Sequence, residues 1–95
     1  MKIEKTTKGF MLIAEISSAK QMCLFEKVTH EHSEYMTAYA LFKEDNNIQC
    51  AYPKYTFVDD NVIASIWFYN IKHTTIKDVI KIEKFIEKSI NTLIL

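Results

Sequence analysis

The sequence contains no arginine: all twelve basic residues are lysine, and twelve acidic residues cancel them to a formal net charge of zero. Arginine is the preferred bidentate grip on phosphates and guanine edges, so its absence weighs against sequence-reading contacts with nucleic acid. The charge balance removes the simple case for a DNA-coating protein or an acidic DNA mimic. With one glycine and one proline, the chain has no glycine-rich loop to cradle a phosphate. Cys23 and Cys50 are isolated and lack C-x-x-C spacing, so neither a disulfide framework nor a zinc knot is implied. Both thiols are expected to be small buried groups in a reducing cytoplasm. No apolar run is long enough to span a membrane. Lys2, Lys5 and Lys8 before Phe10-Met11-Leu12-Ile13-Ala14 imitate a signal peptide, but Glu15 ends that run too early for one.

What is present fits one domain over residues 1–95, with 48% hydrophobic residues and a mean hydropathy of −0.08. That is enough to bury a core without a metal or disulfides. Abundant lysine, isoleucine and asparagine with scarce glycine and proline match an AT-rich coding sequence, as in low-GC bacteria and their phages.

The organising stretch is Val62-Ile63-Ala64-Ser65-Ile66-Trp67-Phe68-Tyr69, an uncharged β-branched and aromatic run after the turn residues Asp59-Asp60-Asn61. It reads as a strand buried on both faces, one face meeting the protein's own helices and the other a partner. Upstream, the polar stretch Met1 to Lys8 suits a short edge strand, Gly9 a bend, and Phe10 to Ile16 a strand. Ser18 with Gln21 forms a capping box for a helix from Ala19 to His30, with Met22, Phe25, Val28 and Thr29 along its apolar stripe. Glu34 to Lys43 fits either a helix or a strand. We read it as a strand because Glu44-Asp45-Asn46-Asn47 then turns it into a second strand, Ile48 to Val58. Turn tips at Asp45-Asn46 and Asp60-Asn61 would place Tyr39 opposite Tyr52 and Tyr52 opposite Tyr69, with Thr37, Lys54 and Trp67 in the next row. Pro53 cannot donate to a ladder, so the second strand is expected to break near it. Thr75 with Asp78 caps a last helix to about Thr92, with Ile76, Val79, Ile82, Ile86, Ile90 and Leu93 on its apolar face. The expected fold is a two-layer α+β domain, an antiparallel sheet with two helices on one face, in the order β-α-β-β-β-α.

The metal-capable residues, His30-Glu31-His32 with Glu34, Cys23, Cys50 and His73, lack ligand spacing and read as a polar connection. Neither a Cys–His pair nor Asp59 and Asp60 forms a catalytic motif, since Asp-Asp-Asn serves a tight turn. No enzyme activity, cofactor or metal is expected. The element order from Ala19 to Thr92 resembles that of double-stranded RNA-binding domains. That family has a lysine cluster opening the second helix and a glycine-proline-histidine type loop. Here those places hold Thr75-Ile76-Lys77-Asp78 and Glu44-Asp45-Asn46-Asn47, so no residue is carried over.

Two surfaces remain. Lys72, His73, Lys77, Lys81, Lys84 and Lys88 form a basic ridge that gives RNA as the alternative ligand, while the interleaved Asp78, Glu83 and Glu87 favour an ordinary solvated face. Tyr35, Tyr39, Tyr52, Lys54, Trp67 and Tyr69 are expected on the sheet face away from the helices. Tyrosine and tryptophan there supply rigid contact area with a polar handle. The leading expectation is a small cytoplasmic, non-enzymatic binding protein of phage or mobile-element origin. It would dock this face on a larger protein as an inhibitor of the anti-defence (anti-CRISPR) or toxin-immunity type. A homodimeric accessory domain is the remaining alternative, and no membrane partner is expected.

Overall fold

A computed structural model describes residues 1–30 and 38–94 of the chain. Its elements are β1 (Lys2–Lys5), β2 (Phe10–Ile16), α1 (Ala19–Thr29), α2 (Ala38–Asp45), β3 (Lys54–Val58), β4 (Asn61–Phe68) and α3 (Ile76–Ile94). The strands form one four-stranded sheet in the order β1-β2-β4-β3, every neighbour antiparallel. The α+β class and the single antiparallel sheet backed by helices are those the sequence leads one to expect.

Strand alternation decides the two faces. In β2 and β4 every buried side chain is even-numbered: Phe10, Leu12 and Ala14 face Phe68, Ile66 and Ala64 across the ladder, and Ile16 faces the partly buried Val62. These residues meet α3, whose Val79, Ile82 and Ile86 are fully buried, and α1, which contributes Phe25 and Val28. Burying that much branched apolar surface is the main stabilising term of the domain.

The helix starts follow their sequence signals. The Gln21 amide donates to Ser18 Oγ at 3.2 Å, while Gln21 Oε1 accepts from the Ser17 amide at 3.1 Å. At α3 the Thr75 amide donates to the Asp78 carboxylate at 2.9 Å. Gly9 is buried where β2 begins. A Cβ placed there would stand 1.9 Å from the Phe68 carbonyl oxygen, so only glycine lets the strands approach.

Several details correct the sequence reading. Ala38–Asp45 is helix α2, not strand, and the Asp-Asn run after it ends a helix rather than turning a hairpin. Asn47 takes a left-handed φ of 53°. The Asn47 amide donates to Glu44 O at 3.1 Å and the Ile48 amide to Lys43 O at 2.8 Å, a Schellman arrangement that the same residues serve equally well. Among the described residues, the run from Ala19 to Thr92 is therefore helix, helix, strand, strand, helix, and the likeness to double-stranded RNA-binding domains does not extend to a three-strand meander. Among the described residues three helices, not two, form the second layer.

β3 starts directly after Pro53 and is an edge strand, as a residue without an amide donor requires. The hairpin tip is Asp59-Asp60, with Asp59 at φ 55° and Val58 opposite Asn61, so Lys54 lies opposite Ser65 instead of Trp67. That shift of two residues leaves every β3 and β4 side chain on its expected face. Cys23 is exposed rather than buried, and Cys50 is buried.

Candidate docking face

Odd-numbered residues of β2 and β4 point away from all three helices. The register sets Met11 opposite Trp67, Ile13 opposite Ser65 and Glu15 opposite Ile63. Met11, Ile13, Ile63 and Trp67 are each half-buried, though no helix among the described residues covers them. They shield one another across the strands as cross-strand neighbours do. Around them stand exposed polar residues: Lys2 and Glu4, paired at 3.1 Å, then Glu15, Lys54 and Thr56. An apolar centre inside a charged rim is the usual anatomy of a protein-binding patch.

Trp67 and Lys54 both lie on the open face, with Lys54 opposite Ser65 rather than Trp67. Tyr69 follows β4 directly and is 52% exposed. Tyr52 is 44% exposed but belongs to no strand. Tyr39 is a correction: it is fully buried, because α2 turns it into the core, where its ring tilts against Phe85 at 6.2 Å. Tyr35, His32, Glu31 and Glu34 lie outside the described residues. Met11 and Ile13 were missed as members of the face. The alternation of Phe10 to Ile16 was visible, but nothing local in the sequence pairs that strand with β4.

Tyr39 and Tyr52 do meet a common lysine, away from the open face. Lys43 Nζ donates to the Cys50 carbonyl at 2.8 Å and lies 5.3 Å from the Tyr39 ring centre and 4.8 Å from that of Tyr52. The Tyr39 hydroxyl and Cys50 Sγ are hydrogen-bonded at 3.3 Å. Burial pushes the Tyr39 phenol well above its ordinary range, helped by Cys50. Burial also raises the Cys50 thiol, against the opposing pull of the Tyr39 hydrogen bond and Lys43. Burial and the raised pKa both favour the protonated thiol over the thiolate at this position.

The lysines of the ridge are exposed in and before α3: Lys72, Lys77, Lys81, Lys84 and Lys88. Lys81, Lys84 and Lys88 line an open groove of about 310 Å³ together with Phe42 and Phe85, whose rings stack at 4.6 Å. No carboxylate is among those lining residues, so the acids interleaved in the sequence do not enter the groove. Among the described residues no group of three or more histidine, cysteine or acidic side chains is placed to hold a metal ion. No helix among them is long and apolar enough to cross a membrane. No family model, curated protein or solved structure matches the chain.

Proposed function

We propose that this chain is a non-enzymatic binding protein that docks the open face of its sheet on a larger protein. The observation that carries the reading is the pair of cross-strand neighbours Trp67 and Met11 at the head of an apolar stripe, on the face turned away from all three helices. Exposed apolar patches persist in a small domain at a cost in solubility, and a partner that covers them removes that cost. Size, composition and lack of chemistry make an inhibitor of phage or mobile-element origin the natural host class, acting in the cytoplasm as an anti-defence (anti-CRISPR) or toxin-immunity protein.

Comparing neighbours on β4 tests this. Phe68 is fully buried, so Phe68→Ala should cost roughly 3–5 kcal/mol of stability. Trp67→Ala should instead cost about 2 kcal/mol or more of affinity, about 30-fold, for the protein captured from the natural host. Melting curves and a titration decide between them. Unchanged affinity in a folded Trp67→Ala variant sinks the docking reading. A second reading, RNA along the lysine ridge, is favoured by the Phe42 and Phe85 stack within the lysine-lined groove, since bases stack on aromatic rings while lysines follow the backbone.

A further inference from the structure

The two edges of the sheet are protected unequally. β1 carries Lys2, Glu4 and Lys5 among its four residues, and such charge discourages another strand from adding there. β3 carries one charge, Lys54, followed by Tyr55, Thr56, Phe57 and Val58, all uncharged and all strong strand formers. Among the described residues it pairs with β4 alone, so its outer row of amides and carbonyls has no strand beside it. Phe57 is 70% exposed although its register partner Val62 packs against the core. The helix layer reaches Tyr55, where the Phe25 ring meets it edge-on at 6.3 Å, and Phe57 stands beyond it.

We infer that β3 pairs with β3 of a second copy of this chain, antiparallel, about a two-fold axis at Thr56. The occupant is a second copy because the strand complements itself in that register. Tyr55 faces Phe57 of the second copy, Lys54 faces Val58, and Thr56 meets its own counterpart. All five strand residues are paired, the exposed Phe57 ring of each copy gains an aromatic neighbour in Tyr55 of the other, and no like charges are opposed. Shifting by two residues in one direction sets Phe57 against Pro53, which cannot donate. The opposite shift sets Tyr55 against the turn residue Asp59. The axis stands perpendicular to the sheet, so the two open faces lie on the same side of a continuous eight-stranded sheet and present both Trp67 rings together. The pairing does not depend on the docking reading and can fail or hold without it.

A five-residue strand pair is a small interface, so a weak, concentration-dependent dimer is expected. Sedimentation equilibrium of the full chain should show the mass rising toward twice the monomer with concentration. Phe57→Lys should hold it at the monomer mass with an unchanged circular dichroism spectrum. A crosslink fixes the register. In a Cys23→Ser background, Thr56→Cys places two thiols on directly opposed residues, roughly 4–5 Å apart, and mild oxidation should give a covalent dimer. Lys54→Cys in the same background separates the thiols by more than 10 Å and should not crosslink. A wild-type chain that stays monomeric to about 1 mM, well above the range of specific association, overturns the inference. So does equal crosslinking at both positions.

Discussion

The sequence has one glycine, and the structure gives it a single sharp consequence. Gly9 precedes β2, and a Cβ added to it would lie 1.9 Å from the Phe68 carbonyl oxygen and 3.1 Å from the carbonyl carbon. Side-chain Cβ atoms do not approach oxygen much closer than about 3 Å, so Gly9→Ala must open that contact by roughly 1 Å. The obstacle is backbone, which has no rotamer to turn away. Gly9 does not have a positive φ, so alanine brings no torsional strain and the whole effect is steric. The displaced segment enters the first ladder pair, Phe10 opposite Phe68, and both rings are in the core. Overpacking of this kind costs about 1–3 kcal/mol, and a loosened ladder hydrogen bond about 1 kcal/mol more. The lower entropy of an unfolded chain carrying alanine offsets about 0.4–1 kcal/mol. A net loss of roughly 2–3 kcal/mol is expected, which at this size lowers the melting temperature by about 10–20 °C. Urea unfolding followed by tryptophan fluorescence and far-ultraviolet circular dichroism should show a lower midpoint with an unchanged slope. The exposed neighbour Lys8→Ala should fall within about 0.5 kcal/mol of the parent chain. A Gly9→Ala variant equally close to the parent would refute the packing of β2 on β4 at this end.

Alkaline pH and salt provide two more tests. Tyr39 and Cys50 both have raised pKa values in the folded chain, so their contribution to stability is fully present below the unfolded pKa values and is lost as pH rises toward the folded ones. Each group should cost about 1.4 kcal/mol per pH unit once its unfolded form ionises, from about pH 9 for Cys50 and about pH 10 for Tyr39. Urea midpoints measured from pH 8 to 11 should therefore fall, and Tyr39→Phe should flatten the upper part of the curve; an identical slope in that variant would contradict the buried phenol. If the lysine groove holds single-stranded RNA, oligonucleotide affinity should fall steeply with salt, and Lys81→Glu with Lys84→Glu should weaken it by 10-fold or more at low salt. Absence of oligonucleotide binding at low salt removes the second reading.

How much of the fold was legible depends on how local its cause was. α1 and α3 were readable because their caps, Ser18 with Gln21 and Thr75 with Asp78, lie within one turn of the residues they satisfy. β4 was readable because alternation needs no partner to be seen. α2 was not, because Tyr39 to Phe42 carries apolar groups at spacings that suit both periods, and the Asn-rich stretch after it can end a helix as well as turn a hairpin. Placing Tyr39 on the docking face followed from that one ambiguity. The β2–β4 pairing joins residues about fifty positions apart and leaves no mark on either segment alone.

Tyr39 was displaced by the helix that replaced its expected strand, whereas Trp67 kept its face despite a shifted hairpin register, and the reason is physical. Its side was fixed by parity within its own strand. A hairpin tip misplaced by one residue moves the register by two, and a shift of two returns each side chain to the same face. Moreover, the stripe beside Trp67 and the lysine groove occupy opposite sides of the sheet, one on the open face and one within the helix layer. No residue of the groove is a register partner of Trp67, so changes at the two surfaces should act independently, as separated sites generally do. The docking and nucleic-acid readings are thereby distinguishable in one chain. Each surface can be disabled with the other intact, and the one whose loss abolishes activity in the natural host is the working surface.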